Sequence, residues 1–180
     1  MRKTLLRVAS YLDSVTERLG QLLAWSTCLM VLIMTSVVIL RYVFNLGWIA
    51  MQESIIYIHA AVFMLGCGYA LKHNEHVRVD VFYRHLSPSK QAWVDCLGIV
   101  LLLIPTTVFI LWSSYDYVLQ SWQVKEGSIE AGGIPAVYLL KTLLFLFPVT
   151  LLVQAIAQLC RALLTLMTQP VVDANIAEVK

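Results

Sequence analysis

Histidine, cysteine and carboxylate are the side chains through which a small protein usually ligates metal, exchanges thiols or relays protons, and their placement here limits all three chemistries. Three of the four histidines, His73, His76 and His85, fall in one polar stretch among Lys72, Glu75 and Arg78. No H-E-x-x-H accompanies them and no cysteine ligand joins them, so the group reads as solvated or phosphate-facing rather than as a metal site. Cys28, Cys67, Cys96 and Cys160 form no C-x-x-C pair. That argues against a thiol oxidoreductase and for small polarizable packing residues. His59 is the one Asp, Glu, Lys, Arg or His inside a long apolar run. Such a group is a functional candidate by default, while a neutral imidazole bonded to a neighbouring helix is a structural one; both readings stand at this level. No carboxylate lies within the runs, so a self-sufficient proton-coupled carrier lacks its usual relay. No catalytic residue, metal or nucleic-acid partner is expected.

The elements that must position these residues are membrane helices. Of the 180 residues 59% are hydrophobic and 13% charged, and the mean hydropathy is +0.76, far from the roughly 45–50% apolar content of a soluble domain. Runs free of charge cover 19–40, 54–71, 96–115 and 142–160. Each is long enough to cross a hydrocarbon core of about 30 Å at about 1.5 Å per residue. The fold class expected is therefore an all-α integral membrane protein with four transmembrane helices, spans about 19–40, 54–71, 92–115 and 135–160, in one domain over 19–165. Residues 166–180 read as a flexible cytoplasmic tail.

Leu5, Val8, Leu12, Val15, Leu19 and Leu22 recur at steps of three and four, with Arg2, Lys3, Arg7, Asp13, Glu17 and Arg18 on the other faces. This predicts an amphipathic helix over 1–18 lying in the cytoplasmic interface before turning into the first span. Val79, Phe82, Tyr83 and Leu86 share a helical face and suggest a second interfacial segment, after which Ser87 and Pro88 read as an N-cap with proline at the first helical position. Pro105 beside Thr106 and Thr107, and Pro148 near Thr150, predict kinks whose freed carbonyls nearby hydroxyls can satisfy. Ten Lys and Arg fall on the terminal segments and the middle connection and three on the other two connections, which places both termini in the cytoplasm. Lys141 lies about 9 Å along a helix begun at Pro135. It must reach outward or meet a carboxylate, with Asp116 or Glu130 at the same surface, and Asp116 with Lys141 is the ion pair expected.

The residues at the span ends resemble those of a family: the small membrane subunit, DctQ-type, of tripartite ATP-independent periplasmic (TRAP) transporters. The resemblance is carried by Arg41-Tyr42-Val43-Phe44-Asn45, by Trp48 followed by Gln52-Glu53, and by Gly66. It continues in His76-Val77-Arg78-Val79-Asp80, similar to the family's H-x-R-V-D, and in Glu126-Gly127-Ser128 followed by Gly133-Ile134-Pro135. It runs from about residue 20 to 165. The family often has two acidic residues near the tryptophan where this chain has Gln52 and Glu53, so a role needing the first carboxylate is not carried over.

The resemblance implies a non-enzymatic subunit of the bacterial inner membrane. Its partners would be a large membrane subunit, which holds the sodium and substrate sites, and an extracytoplasmic binding protein that delivers a small organic acid anion. This chain would be the static scaffold for an elevator-like transport domain, with no cofactor of its own and with lipids around it. Arg41 and Glu53, at the ends of consecutive spans, are expected to pair across the short turn, with Asn45 supplying amide hydrogen bonds and Trp48 at headgroup level; Arg41 reaching lipid phosphate is the simpler alternative. Trp25, Trp93, Trp112 and Trp122 read as interface or lipid anchors. The competing function is a haem-carrying membrane anchor of a respiratory enzyme, which needs a histidine pair across the bilayer interior.

Overall fold

The computed structural model describes residues 2–76, 83 and 85–178, with side chains as far as Thr168. All its regular elements are helices: α1 (Arg2–Val43), α2 (Ile49–Lys72), α3 (Pro88–Gly98), a π-helical turn (Ile99–Leu103), α4 (Ile104–Val124) and α5 (Val137–Glu178). With α3, the π turn and α4 continuous, four helical rods are long and apolar enough to cross a bilayer. Asp13 and Glu17 of α1, Lys72 at the end of α2 and Arg161 of α5 meet toward one end, here the terminal end; the α1–α2 turn and the α4–α5 loop lie toward the opposite, hairpin end.

Rod α5 is the hub and touches α1, α2, α3 and α4. Ala155 and Ala157 on it are fully buried, as is Gln154. Small side chains here let four helices approach one axis, which is how membrane helices pack where lipid removes any hydrophobic drive between them. Cys96 packs with Ala92 against Ala162 and Cys160 is buried, as the packing role read for the four cysteines requires, whereas Cys28 is exposed and Cys67 half-buried. Pro148 is buried in α5, and Thr150 donates its hydroxyl to the Phe147 carbonyl at 2.8 Å.

Two features of α1 correct the sequence reading. The helix is uninterrupted from Arg2 to Val43, so no turn separates an interfacial segment from a span; at about 63 Å it is twice the hydrocarbon thickness. Its buried positions are Ala9, Thr16 and Leu23, while Val8, Val15 and Leu22 of the expected stripe are exposed. The reason is physical: in lipid an apolar stripe gains nothing from protein cover, whereas small and hydrogen-bonding side chains do. Gly20 belongs to the same face. The Tyr69 ring of α2 fills the place of its missing side chain, its Cδ2 edge lying where a Cβ would stand.

The helix ends follow from local chemistry. Asn74 and Lys125 adopt left-handed backbone, and the next amide in each case closes a 6→1 bond, Glu75 N–H to Ala70 O at 3.0 Å and Glu126 N–H to Ser121 O at 3.0 Å, the usual helix-terminating motif. Asn45, also left-handed, ends α1. Pro88 opens α3 as expected, but Ser87 caps with its carbonyl, which accepts the Gln91 N–H at 2.9 Å, and not with its hydroxyl. The π turn ends at Leu103, two residues before Pro105. Proline lacks the N–H that Leu101 O would accept and its ring crowds that carbonyl, so a wider turn absorbs the conflict. Thr107, almost fully buried, donates to Leu103 O at 2.8 Å.

Candidate functional site

At the terminal end a polar layer ties α1, α2 and α5. Asp13, Thr16, Glu17 and Gly20 recur at three- and four-residue steps on α1, and Gln154, Gln158 and Arg161 do so on α5, so each set lies on one helical face. Thr16 donates to Gln154 Oε1 at 2.9 Å, Gln154 Nε2 donates to Asp13 Oδ1 at 3.2 Å, and Arg161 pairs with Asp13 Oδ2. Lys72 bridges to α2 by bonding both the Asp13 carbonyl at 3.1 Å and the Glu17 carboxylate at 2.5 Å. His73 meets the same Glu17 oxygen at 3.1 Å and packs on the Tyr69 ring, centroids 4.3 Å apart. Gln158 donates to Leu71 O at 2.8 Å. Sequence reasoning missed this layer because it set Asp13 and Glu17 on the polar faces of an interfacial helix. Two glutamines four residues apart inside an otherwise apolar span, with arginine three further on, were the signal.

At the hairpin end Glu53 holds the α4–α5 loop. Its carboxylate accepts the Ser128 hydroxyl and the Ile134 N–H, the latter at 2.6 Å. Gly133 stands so close that a Cβ there would fall 2.8 Å from Glu53 Oε1. Ser128, Gly133 and Glu53, singled out far apart in sequence, thus meet in one bonded cluster. The expected Arg41–Glu53 pair is not formed: loop donors already engage the carboxylate, and Arg41 is exposed with no ion pair among the described residues. Asn45 contributes its left-handed backbone, and no side-chain amide bond of it occurs among the described residues. Tyr42 and Trp48 are exposed.

Lys141 also departs from expectation. It pairs with Glu126 at 2.5 Å, not with Asp116 or Glu130, and lies over the Tyr117 ring at 4.0 Å. The left-handed turn at Lys125 folds Glu126 back over the start of α5, while Asp116, two turns earlier on α4, is exposed. The Lys141 ammonium holds the Glu126 carboxyl below the usual carboxylate range. Beside this pair, Trp122 donates its indole N–H to Thr142 at 2.9 Å, meets Tyr138 edge-on, and carries the Lys125 ammonium 4.7 Å above its ring. Pro135 lies in the loop, its Cα against Gly127.

The other candidates spread out. His59 is exposed, its ring against Phe63 with centroids 6.4 Å apart. No second histidine faces it among the described residues, so no haem-ligating pair is built there. His76 is exposed near the Cys67 carbonyl at 3.4 Å; Arg78 and Asp80 of the same motif, with Val79 and Phe82 of the suggested interfacial segment, lie outside the described residues. Trp25, Trp93 and Trp112 are exposed. Among the described residues no group of three His, Cys, Asp or Glu could hold a metal ion.

Residues 30–165, about three quarters of the chain, match the family described as tripartite ATP-independent periplasmic transporters, DctQ component. No curated protein and no solved structure matches the chain.

Proposed function

The chain belongs to the DctQ component family of tripartite ATP-independent periplasmic transporters, and from that premise we propose that it is the static scaffold on which a large, sodium-coupled, elevator-type membrane subunit moves. It sits in the bacterial inner membrane with both termini cytoplasmic. An extracytoplasmic binding protein delivers a small organic acid anion to the large subunit, and sodium binds there rather than on this chain.

The observation that supports the reading is where the bonds between helices lie. Those through side chains fall in two layers, one at each end of the bundle, and each ties parts of the same chain together: α1 to α2 and α5 at the terminal end, α2 to the α4–α5 loop and α5 to that loop at the hairpin end. Such an arrangement stiffens a frame. The positive-inside distribution of Lys and Arg supports the orientation.

The test is uptake of a labelled organic acid by proteoliposomes holding all three components under a sodium gradient. Leaving this chain out abolishes uptake, and this chain alone gives none. Glu53→Ala or Arg41→Ala lowers assembled complex or maximal rate with substrate preference and sodium dependence unchanged. A shifted preference in either variant, or full uptake without the chain, overturns the scaffold reading.

A further inference from the structure

One face of α2 has no helix packed along it among the described residues. Gln52, Ile56, His59, Phe63, Gly66 and Ala70 follow one another at alternating steps of four and three, the a/d spacing of a helix-packing seam. Intramolecular contacts use the other sides of α2: Tyr69 and Lys72 meet α1 at Gly20 and Glu17, and Gly68 backs onto the Thr150 carbonyl of α5. The middle of the seam is open, while Gln52, Gly66 and Ala70 toward its ends are half-buried. Ile56 and Phe63 are 58% and 69% exposed, His59 is exposed, and a Cβ added at Gly66 would meet nothing within 4 Å.

His59 lies ten residues into a helix of 24, about 15 Å along some 36 Å, and so near the bilayer midplane. An imidazole there that faces lipid leaves its ring nitrogens without hydrogen bonds, and polar groups at that depth face protein. Gly66, about two turns further, lets a second backbone approach, and small residues with a polar contact are the features by which membrane helices associate. A two-fold pair of this chain would set His59 against His59, where one shared proton is the most the two rings can exchange. A different helix is free to offer a complementary donor or acceptor.

We propose that the Gln52–Ala70 seam of α2 docks a transmembrane helix of the large membrane subunit, which presents a hydrogen-bonding group to His59 and packs its backbone over Gly66. The proposal rests on the scaffold reading and names the surface that reading needs.

The test uses the assembled complex, recovered in mild detergent from native membranes through a tag on this chain. Gly66→Leu lowers co-recovered large subunit about tenfold or more and His59→Phe lowers it several-fold. Trp112→Leu, on an exposed face of α4, leaves it at the wild-type level. Because Gly66 has open space above it, Gly66→Leu should keep the melting temperature of the isolated chain. In a second arm, a benzophenone amino acid in place of Phe63 is irradiated in membranes, and the adduct is identified by mass spectrometry. An adduct with the large subunit supports the seam whatever the fate of the substitutions. Wild-type recovery by both seam variants with no such adduct overturns the docking face and leaves the scaffold reading intact. An adduct with a second copy of this chain overturns the assigned occupant, and a wild-type chain that brings down no large membrane protein overturns both.

Discussion

Glu53 shows how a single side chain can decide the shape of a loop. Its two oxygens hold the Ser128 hydroxyl and the Ile134 amide, so Glu53→Ala removes both anchors while leaving α2 able to form. The Ile134 amide should then exchange its hydrogen at least about tenfold faster in mass-spectrometric exchange, the loss expected of a bond to a charged acceptor. Unchanged exchange would mean that the loop is held by packing alone. Glu126 gives a prediction with a sign. Its carboxyl titrates below its ordinary value of 4.5 because the Lys141 ammonium stabilises the charged form, so its contribution is complete above that value and is lost as pH falls through the lowered one. Melting temperatures of the wild type and Glu126→Gln should therefore differ by a constant amount from pH 8 to about pH 5 and converge below. A gap that instead opened on acidification would show that the pair does not stabilise the fold. Both carboxylates were legible in the sequence as candidates; their partners were not. Spacing along a chain does not reveal which loop amide turns back toward a helix.

Among the elements, α1 and α2 show what periodicity reads well and where it misleads. Four apolar runs locate the membrane rods because length against bilayer thickness is a strong constraint. Pro88 as a helix start and Pro105 as a disturbance of its helix, met here by the π turn, were equally legible, since proline acts through its own ring and missing N–H. The face by which α1 packs was not, because hydrophobicity does not distinguish lipid-facing from protein-facing positions in a membrane. Gly20 is the clearest case: the residue with no side chain marks the contact, filled by Tyr69. Gly20→Val should overpack that contact at a cost of about 1–3 kcal/mol, measured by thermal unfolding in detergent. Tyr69→Ala in the same chain should recover part of the loss. If the double variant is no better than Gly20→Val, the two residues do not meet as described.

For the molecule as a whole, the layer at the terminal end couples the first helix to the last. Gln154 is fully buried between Thr16 and Asp13, so Gln154→Leu strands two hydrogen-bonding groups and should cost about 1–3 kcal/mol. Thr16→Val added to it should cost less than the sum of the two single changes, since a donor without its acceptor is removed; strict additivity would place the two side chains in separate environments. That layer also has a consequence for how the chain is made. Asp13 and Arg161 are 148 positions apart; at about 5–20 residues per second the first helix waits roughly 7–30 s in the bilayer before its partner leaves the ribosome. Lys72 arrives earlier and engages both Glu17 and the Asp13 backbone. The nascent α1–α2 hairpin is therefore held by an interim clasp, and the last helix completes the bundle as its keystone. A chain halted before α5 thus leaves the Asp13 carboxylate without Gln154 and Arg161, the side chains that answer it in the finished bundle.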